Sequence, residues 1–346
     1  GSGKTATFSL ALLSAIDPSV MSPQALVVCP TRELAKQNEA VISQLGRYLP
    51  VVVQLVVPSQ DRLPRNPPCH VLIGTPGKIM DFCKKRVIDV STVKVFVLDE
   101  ADMMLDQENA MGPQVTTVRQ FLPKEVQVLF FSATYPDDVR MFAETLVPRA
   151  LSIKVRKTDL TVSSVTQMYM RCLDDNDKLK KLGELYGAMN VSQSIVFVNQ
   201  RKKAFTLAQN MRNAGHSVSL ICGTQSSGEE RMDPALRDNV MDEFRNGVTR
   251  VLIATDVLAR GIDVPQVTLV VNYEMPVSYQ SRGADYETYL HRVGRTGRFG
   301  LRGIAVNLVT DAEKFRVDEV CSFFACKIPE MDSDFEQLEE RLRLLR

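Results

Sequence analysis

The sequence has no tryptophan and only three histidines among its 346 residues. Its seven cysteines (Cys29, Cys69, Cys83, Cys172, Cys222, Cys321 and Cys326) are odd in number, scattered, and form no CxxC pair. That spacing excludes a zinc ribbon and a disulfide framework, and leaves free thiols as the reading. No apolar run approaches the roughly 20 residues that a bilayer-spanning helix needs, so no membrane insertion is expected. Neither a signal peptide nor an initiator Met is present, so the natural N-terminus is expected to lie upstream. Formal net charge is only +1, with no basic tail or polybasic stripe. Bulk electrostatics therefore suggests no nucleic-acid partner, and any such partner has to be read from motifs.

What is present is a rhythm. The β-branched runs 25–29, 51–56, 70–73, 95–98 and 126–131 read as buried strands. Helical spacing follows each of them except the second. After a polar stretch over 154–164 the rhythm restarts, with strands expected at 194–198, 217–221, 250–254, 268–272 and 304–308. Repeated βα units imply mostly parallel sheets, so the expected fold is α/β: a first domain over 1–153, a linker over 154–164, and a second domain over 165–346. The charged tail 334–346 reads as an amphipathic helix.

Three segments carry chemistry. Gly1-Ser2-Gly3-Lys4-Thr5 runs into an apolar helix and matches the end of a GxxxxGK[ST] phosphate loop, in which backbone amides wrap phosphate, Lys neutralises it and Thr holds Mg²⁺. The first Gly of such a loop and its preceding strand are absent, and a Gly-Ser pair is equally readable as a cloning scar. Val95-Phe96-Val97-Leu98-Asp99-Glu100 is an apolar strand ending in two carboxylates. Asp99 would hold Mg²⁺, directly or through water, and Glu100 would orient and deprotonate an attacking water. His291 to Arg298 interleaves glycines with arginines, which suits Arg295 and Arg298 to reach a γ-phosphate across a domain cleft.

Together with Pro30-Thr31-Arg32-Glu33-Leu34-Ala35, Thr75-Pro76-Gly77, Asp99-Glu100-Ala101-Asp102, Ser132-Ala133-Thr134 and Ala259-Arg260-Gly261-Ile262-Asp263, these segments resemble the successive motifs of DEAD-box RNA helicases, in order and over essentially the whole chain. The long loop 274–289 and the absence of a Gly-Gly element between Arg32 and Thr75 resemble the nuclear-pore mRNA-export branch of that family. The resemblance implies two tandem RecA-like domains that clamp together on ATP, Mg²⁺ and RNA. By position it implies Gly1, Ser2, Gly3, Lys4, Thr5 and Asp263 as nucleotide residues, with Thr5 and Asp99 for the metal. Asp99, Glu100, Arg295 and Arg298 would be catalytic. Thr31, Arg32, Thr75, Gly77 and Thr255 would bind RNA backbone without reading bases, and Ser132, Thr134 and His291 would couple the two ligands. Lys78 stands where many relatives have Arg.

From the same resemblance come a monomer of cytoplasm and nucleus, found at the nuclear pore, an inositol-phosphate-dependent activator and a nucleoporin partner. The adenine-reading Gln of the family would lie upstream of Gly1, so the 346-residue chain is expected to be weak in isolation. The rival reading is an ATP-gated RNA clamp that acts as a binding platform.

Overall fold

The computed structural model describes residues 3–58, 63–105, 111–135, 137–153, 164–188, 193–222, 234–256, 264, 266–278, 281–297 and 301–331. Gly1, Ser2, Asp263, Arg298, most of the 154–164 stretch, the 259–263 motif and the 334–346 tail lie outside them. The chain divides into two compact units at Ile153/Lys154.

In the first unit, β1 (Ala25–Val28), β2 (Val53–Val56), β3 (Val71–Gly74), β4 (Val95–Leu98) and β5 (Gln127–Phe130) form one sheet in the order β2-β3-β1-β4-β5. Every pairing in it is parallel. The central strands are unbroken apolar runs because both faces are covered. Alternate residues divide between those faces. Ala25, Val27, Val71, Ile73, Val95 and Val97 pack with α1 (Lys4–Ala15) and α2 (Arg32–Leu45) through Phe8, Leu12, Leu34, Ala35 and Ile42. Leu26, Val28, Leu72, Phe96 and Leu98 pack instead with α3 (Pro76–Lys84), α4 (Ala101–Leu105) and α5 (Met111–Phe121); α6 (Asp137–Leu146) also lies on this side through Val139. Gly74 is required by a close approach: a Cβ there would lie 2.0 Å from the Val56 carbonyl oxygen.

The second unit repeats the plan with six parallel strands in the order β6-β11-β10-β7-β9-β8. They are β6 (Val165–Cys172), β7 (Gln193–Phe197), β8 (Val218–Ile221), β9 (Val251–Ala254), β10 (Val267–Asn272) and β11 (Gly303–Thr310). On one face lie α7 (Asp175–Ala188) and α8 (Arg201–Asn213). On the other lie α9 (Pro234–Arg245), α10 (Tyr286–Val293) and α11 (Lys314–Phe324).

Ten of these strands lie where the sequence places them. β6 is an eleventh that periodicity misses, because it is an edge strand whose apolar residues are interrupted by Thr166, Gln167 and Arg171. Parallel β11 nevertheless pairs with it along all eight residues, from Gly303↔Val165 to Thr310↔Cys172.

One polar thread crosses this second core. Asn272 and Asn307 are both fully buried, sit opposite each other on β10 and β11, and join through Asn272 Nδ2 to Asn307 Oδ1 at 2.8 Å. Asn307 Nδ2 donates to the Tyr289 hydroxyl at 3.2 Å, and that hydroxyl donates to Gln167 Oε1 at 2.9 Å.

Candidate functional sites

In a parallel sheet all strands deliver their C-terminal ends to one edge, and ligands bind where the chain order reverses. In the first unit that edge gathers the residues after β1, β3, β4 and β5. The reversal lies between β1 and β4, whose neighbours run to opposite sides.

Asp99 closes β4 and is only 3% exposed. Its Oδ1 accepts the Glu100 N–H at 3.1 Å, and its Oδ2 accepts Nδ2 of Asn38 at 2.8 Å. Burial and the neighbouring Glu100 push its pKa up to about 6, against the opposing Asn38 amide and Lys4 ammonium. The Lys4 charge therefore acts on this carboxylate from the start of α1, where Gly3 is the N-cap in a left-handed conformation with φ 78°. Exposed amides at a helix start favour an anion, and α1 supplies a start beside an acid pair. Glu100 also has a positive φ of 50°. For a residue with a Cβ this costs about 1–3 kcal/mol, and such strain clusters at functional positions. Glu100 Oε2 and Asn38 Oδ1 are buried acceptors without a hydrogen-bond donor. A buried carboxylate flanked by unsatisfied oxygens, with a Lys nearby, fits a hydrated divalent cation carrying phosphate.

Next along the edge, Thr134 Oγ1 donates to Asp102 Oδ2 at 2.7 Å, and Ser132 Oγ accepts the Asp102 N–H at 3.3 Å while donating to the Thr134 carbonyl. The Ser132–Thr134 segment is thereby tied to the first turn of α4. Thr31 is the N-cap of α2 and spends its hydroxyl on the Leu34 N–H at 3.2 Å; Arg32 is the first helical residue. Thr75 caps α3 without a side-chain bond, and Pro76 takes the first helical position, where a missing N–H costs nothing. Gly77 follows, and a Cβ there would come 3.1 Å from Gln114 Oε1. Lys78 lays its ammonium over the Phe82 ring at 4.5 Å.

In the second unit the order reverses between β7 and β10. The residue that fills this crevice is Arg292, fully buried on α10. It donates from Nε to Asp256 Oδ1 at 2.6 Å, from one terminal nitrogen to the Glu274 carbonyl at 2.7 Å and Asn272 Oδ1 at 3.3 Å, and from the other to Asn199 Oδ1 at 2.7 Å. Thr255, adjoining Asp256, has a buried hydroxyl without a hydrogen-bond partner. His291 and Arg295 share α10 and the turn after it, with Arg295 Nε on the His291 carbonyl at 2.9 Å. Gly297 has φ 68°, and a Cβ there would meet Val165 Cγ2 at 2.6 Å.

The loop from Glu274 into α10 is ordered at its described residues: Val277 bridges Ala284, Glu319 of α11 accepts the Ala284 N–H at 2.7 Å, and Asp285 caps α10 through the Thr288 N–H at 2.9 Å. Phe324 is buried, whereas its neighbour Phe323 is 43% exposed and stacks on Tyr286 at 4.1 Å.

The structure thus brings Lys4, Asp99 and Glu100 together in one unit, and Thr255, His291 and Arg295 around Arg292 in the other. Sequence reasoning missed Asn38, Asn199, Asp256 and Arg292 as organising residues. Asn38 had a legible signal, an amide in the core-facing register of α2. Arg292 lay inside a quoted motif, but its role depends on acceptors from three strand ends.

The DEAD/DEAH box helicase family profile matches residues 1–142, and the helicase conserved C-terminal domain profile matches residues 177–300. ATP-dependent RNA helicase DBP5 of Saccharomyces cerevisiae is 41% identical over 317 residues, which is 92% of this chain and 64% of the relative. The chain thus spans a little under two thirds of that curated relative. A solved structure of S. cerevisiae Dbp5 bound to RNA and ADP BeF3 superposes with TM-score 0.93 at 38% identity, covering 100% of this chain and 87% of that one. A variant of the same protein bound to Nup159, Gle1, IP6 and ADP gives TM-score 0.68 at 36% identity, covering 100% and 88%. The two all-parallel sheets are tandem RecA-like folds, and the chain belongs to the DEAD-box family of ATP-dependent RNA helicases.

Proposed function

We propose that the protein is an RNA-stimulated ATPase that opens short duplexes locally, or displaces proteins from RNA, in mRNA export. The observation that carries this reading is the Asp99–Glu100 pair at the sheet edge, with Asp99 buried, Glu100 half-buried, and Asp99 within electrostatic reach of Lys4 at the start of α1. Lys4, with the amides of the Gly1–Thr5 segment, is assigned to the nucleotide phosphates. Asp99 and Thr5 are assigned to Mg²⁺. The bound cation would supply charge neutralisation of the phosphates. Glu100 would hold and deprotonate the attacking water, Arg295 and Arg298 would meet charge on the γ-phosphate, and Asp263 would contact the ribose. Residues 1–153 would form the ATP-binding domain, 154–164 a linker and 165–346 the C-terminal domain.

RNA would be held by Thr31, Arg32, Thr75, Gly77 and Thr255. Loop amides, hydroxyls and one guanidinium grip sugar-phosphate without sequence preference, and near-zero net charge is compatible with such a grip. The buried, unsatisfied Thr255 hydroxyl supports this assignment. The Ser132–Thr134–Asp102 bonds join the strand end beside the acid pair to the turn that follows, which supports Ser132 and Thr134, with His291, as the coupling residues. The yeast relative solved with Nup159, Gle1 and IP6 supports a nucleoporin, and an activator acting with an inositol phosphate, as partners of this monomer at the nuclear pore.

The test is phosphate release from ATP with and without single-stranded RNA, using Glu100→Gln as the blank. RNA stimulation that vanishes in the blank is expected. Flat turnover alongside ATP-dependent RNA retention would overturn the enzyme reading in favour of a clamp.

A further inference from the structure

Beyond Glu33 in its first turn, α2 buries one stripe, made of Leu34, Ala35, Asn38 and Ile42. Three of these are apolar and pack into the core, and Asn38 occupies the fourth position with no exposure at all. By pattern the site suits a Leu or Ile, because a buried amide is unfavourable unless its polar atoms are matched. Asn38 matches its NH₂ twice: Nδ2 lies 2.8 Å from Asp99 Oδ2 and 3.3 Å from Cys29 Sγ. The thiol is a weak acceptor, so the carboxylate fixes which way the amide faces; the reversed amide would set oxygen against oxygen.

Asp99 is consequently held at both oxygens, by Asn38 on Oδ2 and by its own neighbour's N–H on Oδ1 at 3.1 Å. Its backbone is fixed to β1 as well, through the Asp99 N–H to the Val28 carbonyl at 3.0 Å. Rotation of the carboxylate would break both side-chain bonds. The lone pairs left over keep one direction before any ligand arrives, which is what an outer partner of a metal-holding group provides. Asn38 comes from α2 and Asp99 from the end of β4, so this bond spans the crevice between β1 and β4.

We propose that Asn38 is a positioning residue for Asp99, fixing its carboxylate for the Mg²⁺ that accompanies the nucleotide phosphates. The inference rests on the nucleotide-site reading above. It separates two quantities that a packing role would move together. A side chain kept for packing should, when replaced, lower stability and ligand binding in parallel. A positioning amide replaced by an apolar side chain should spare stability and lower only the metal-dependent part of binding.

The experiment compares the 346-residue protein with its Asn38→Leu and Asn38→Ala variants. A fluorescent ADP analogue is titrated in excess Mg²⁺ and again in EDTA, and melting is followed on the same samples. In the parent, Mg²⁺ should tighten the analogue. In both variants that gain should fall about tenfold, with little change in EDTA. The melting temperature of Asn38→Leu should hold or rise. If both variants keep the parent's gain from Mg²⁺, or if only the bulkier Leu loses it, the inference is wrong and the nucleotide site stands. Absence of any Mg²⁺-dependent analogue binding in the parent overturns the nucleotide-site reading itself, and this inference with it.

Discussion

The guanidinium of Arg292 meets the carboxylate of Asp256 at 2.6 Å, yet the two differ sharply in exposure: Arg292 has none, and the Asp256 side chain keeps 39% of its own. The pair is therefore lopsided, with one charge sealed in the core and its partner at the rim.

Removing the two ends should have unequal effects. Arg292→Ala leaves the Asn199, Asn272 and Glu274 acceptors without a donor and opens a cavity, so a loss of about 3–5 kcal/mol is expected. Asp256→Ala leaves Arg292 three neutral oxygen acceptors. Because Asp256 is partly solvated, its loss should cost roughly 1–2 kcal/mol. Urea unfolding of the two variants decides the point, and equal losses would contradict a buried hub.

Glu100 holds a strained backbone, so Glu100→Gly should raise stability and remove function at once. Relief of the φ of 50° should stabilise by about 1 kcal/mol. ATP turnover should drop by at least about 100-fold, the scale lost with a general base. A melting scan paired with a phosphate-release assay shows whether the two shifts have opposite sign.

Acid should weaken the contact between α7 and the turn before α11. Burial pushes the Glu313 carboxyl up, but Lys178 Nζ at 2.6 Å and the Thr310 N–H at 2.9 Å outweigh it, leaving the pKa below its ordinary 4.5. A carboxylate depressed in the folded state contributes stability above its unfolded pKa and loses it as pH falls through the folded one. Unfolding free energy should thus decline more steeply below about pH 4.5 in the parent than in Glu313→Gln. Parallel pH curves would argue that Lys178–Glu313 adds nothing.

Thiol titration should separate two cysteines from five. Cys321 and Cys326 are partly exposed, and the other five of the seven are buried. Burial raises Cys69 and Cys172 to about 11 and Cys83 to about 12, which suppresses their thiolates. Native protein should release colour from a disulfide reagent at Cys321 and Cys326 first, and from all seven in denaturant. Fast reaction at Cys29, sealed beside Asn38, would mean that the first core opens readily.

The two sheets were legible because parallel strands covered on both faces leave unbroken apolar runs, as in Val95–Leu98 and Val251–Ala254. β6 was not, since an edge strand alternates with polar residues and needs β11 beside it to be recognised. The acid pair could be read because it terminates an apolar run, which is a one-dimensional signal. The Asn38–Asp99 bond joins residues 61 positions apart, and the Arg292 acceptors lie up to 93 positions away. Nothing local announces which loop ends will converge. Phe323 and Phe324 make a related point: helical spacing marks an apolar stripe, but it does not say which of two adjacent rings goes inside and which stacks on Tyr286.

The run from half-buried Gln167 through buried Tyr289, Asn307 and Asn272 to Arg292 has a consequence for how the second unit finds its strand order. Each hydrogen bond in it links a different element: β6, α10, β11, β10 and α10 again. Sliding β11 by a single residue would swing Asn307 to the opposite face and leave Asn272, Tyr289 and Gln167 with polar atoms in an apolar surround. An all-aliphatic interior would tolerate such a slip far better. The thread therefore works as a built-in proofreading device, penalising every misaligned assembly of the sheet that hydrophobic burial alone would accept.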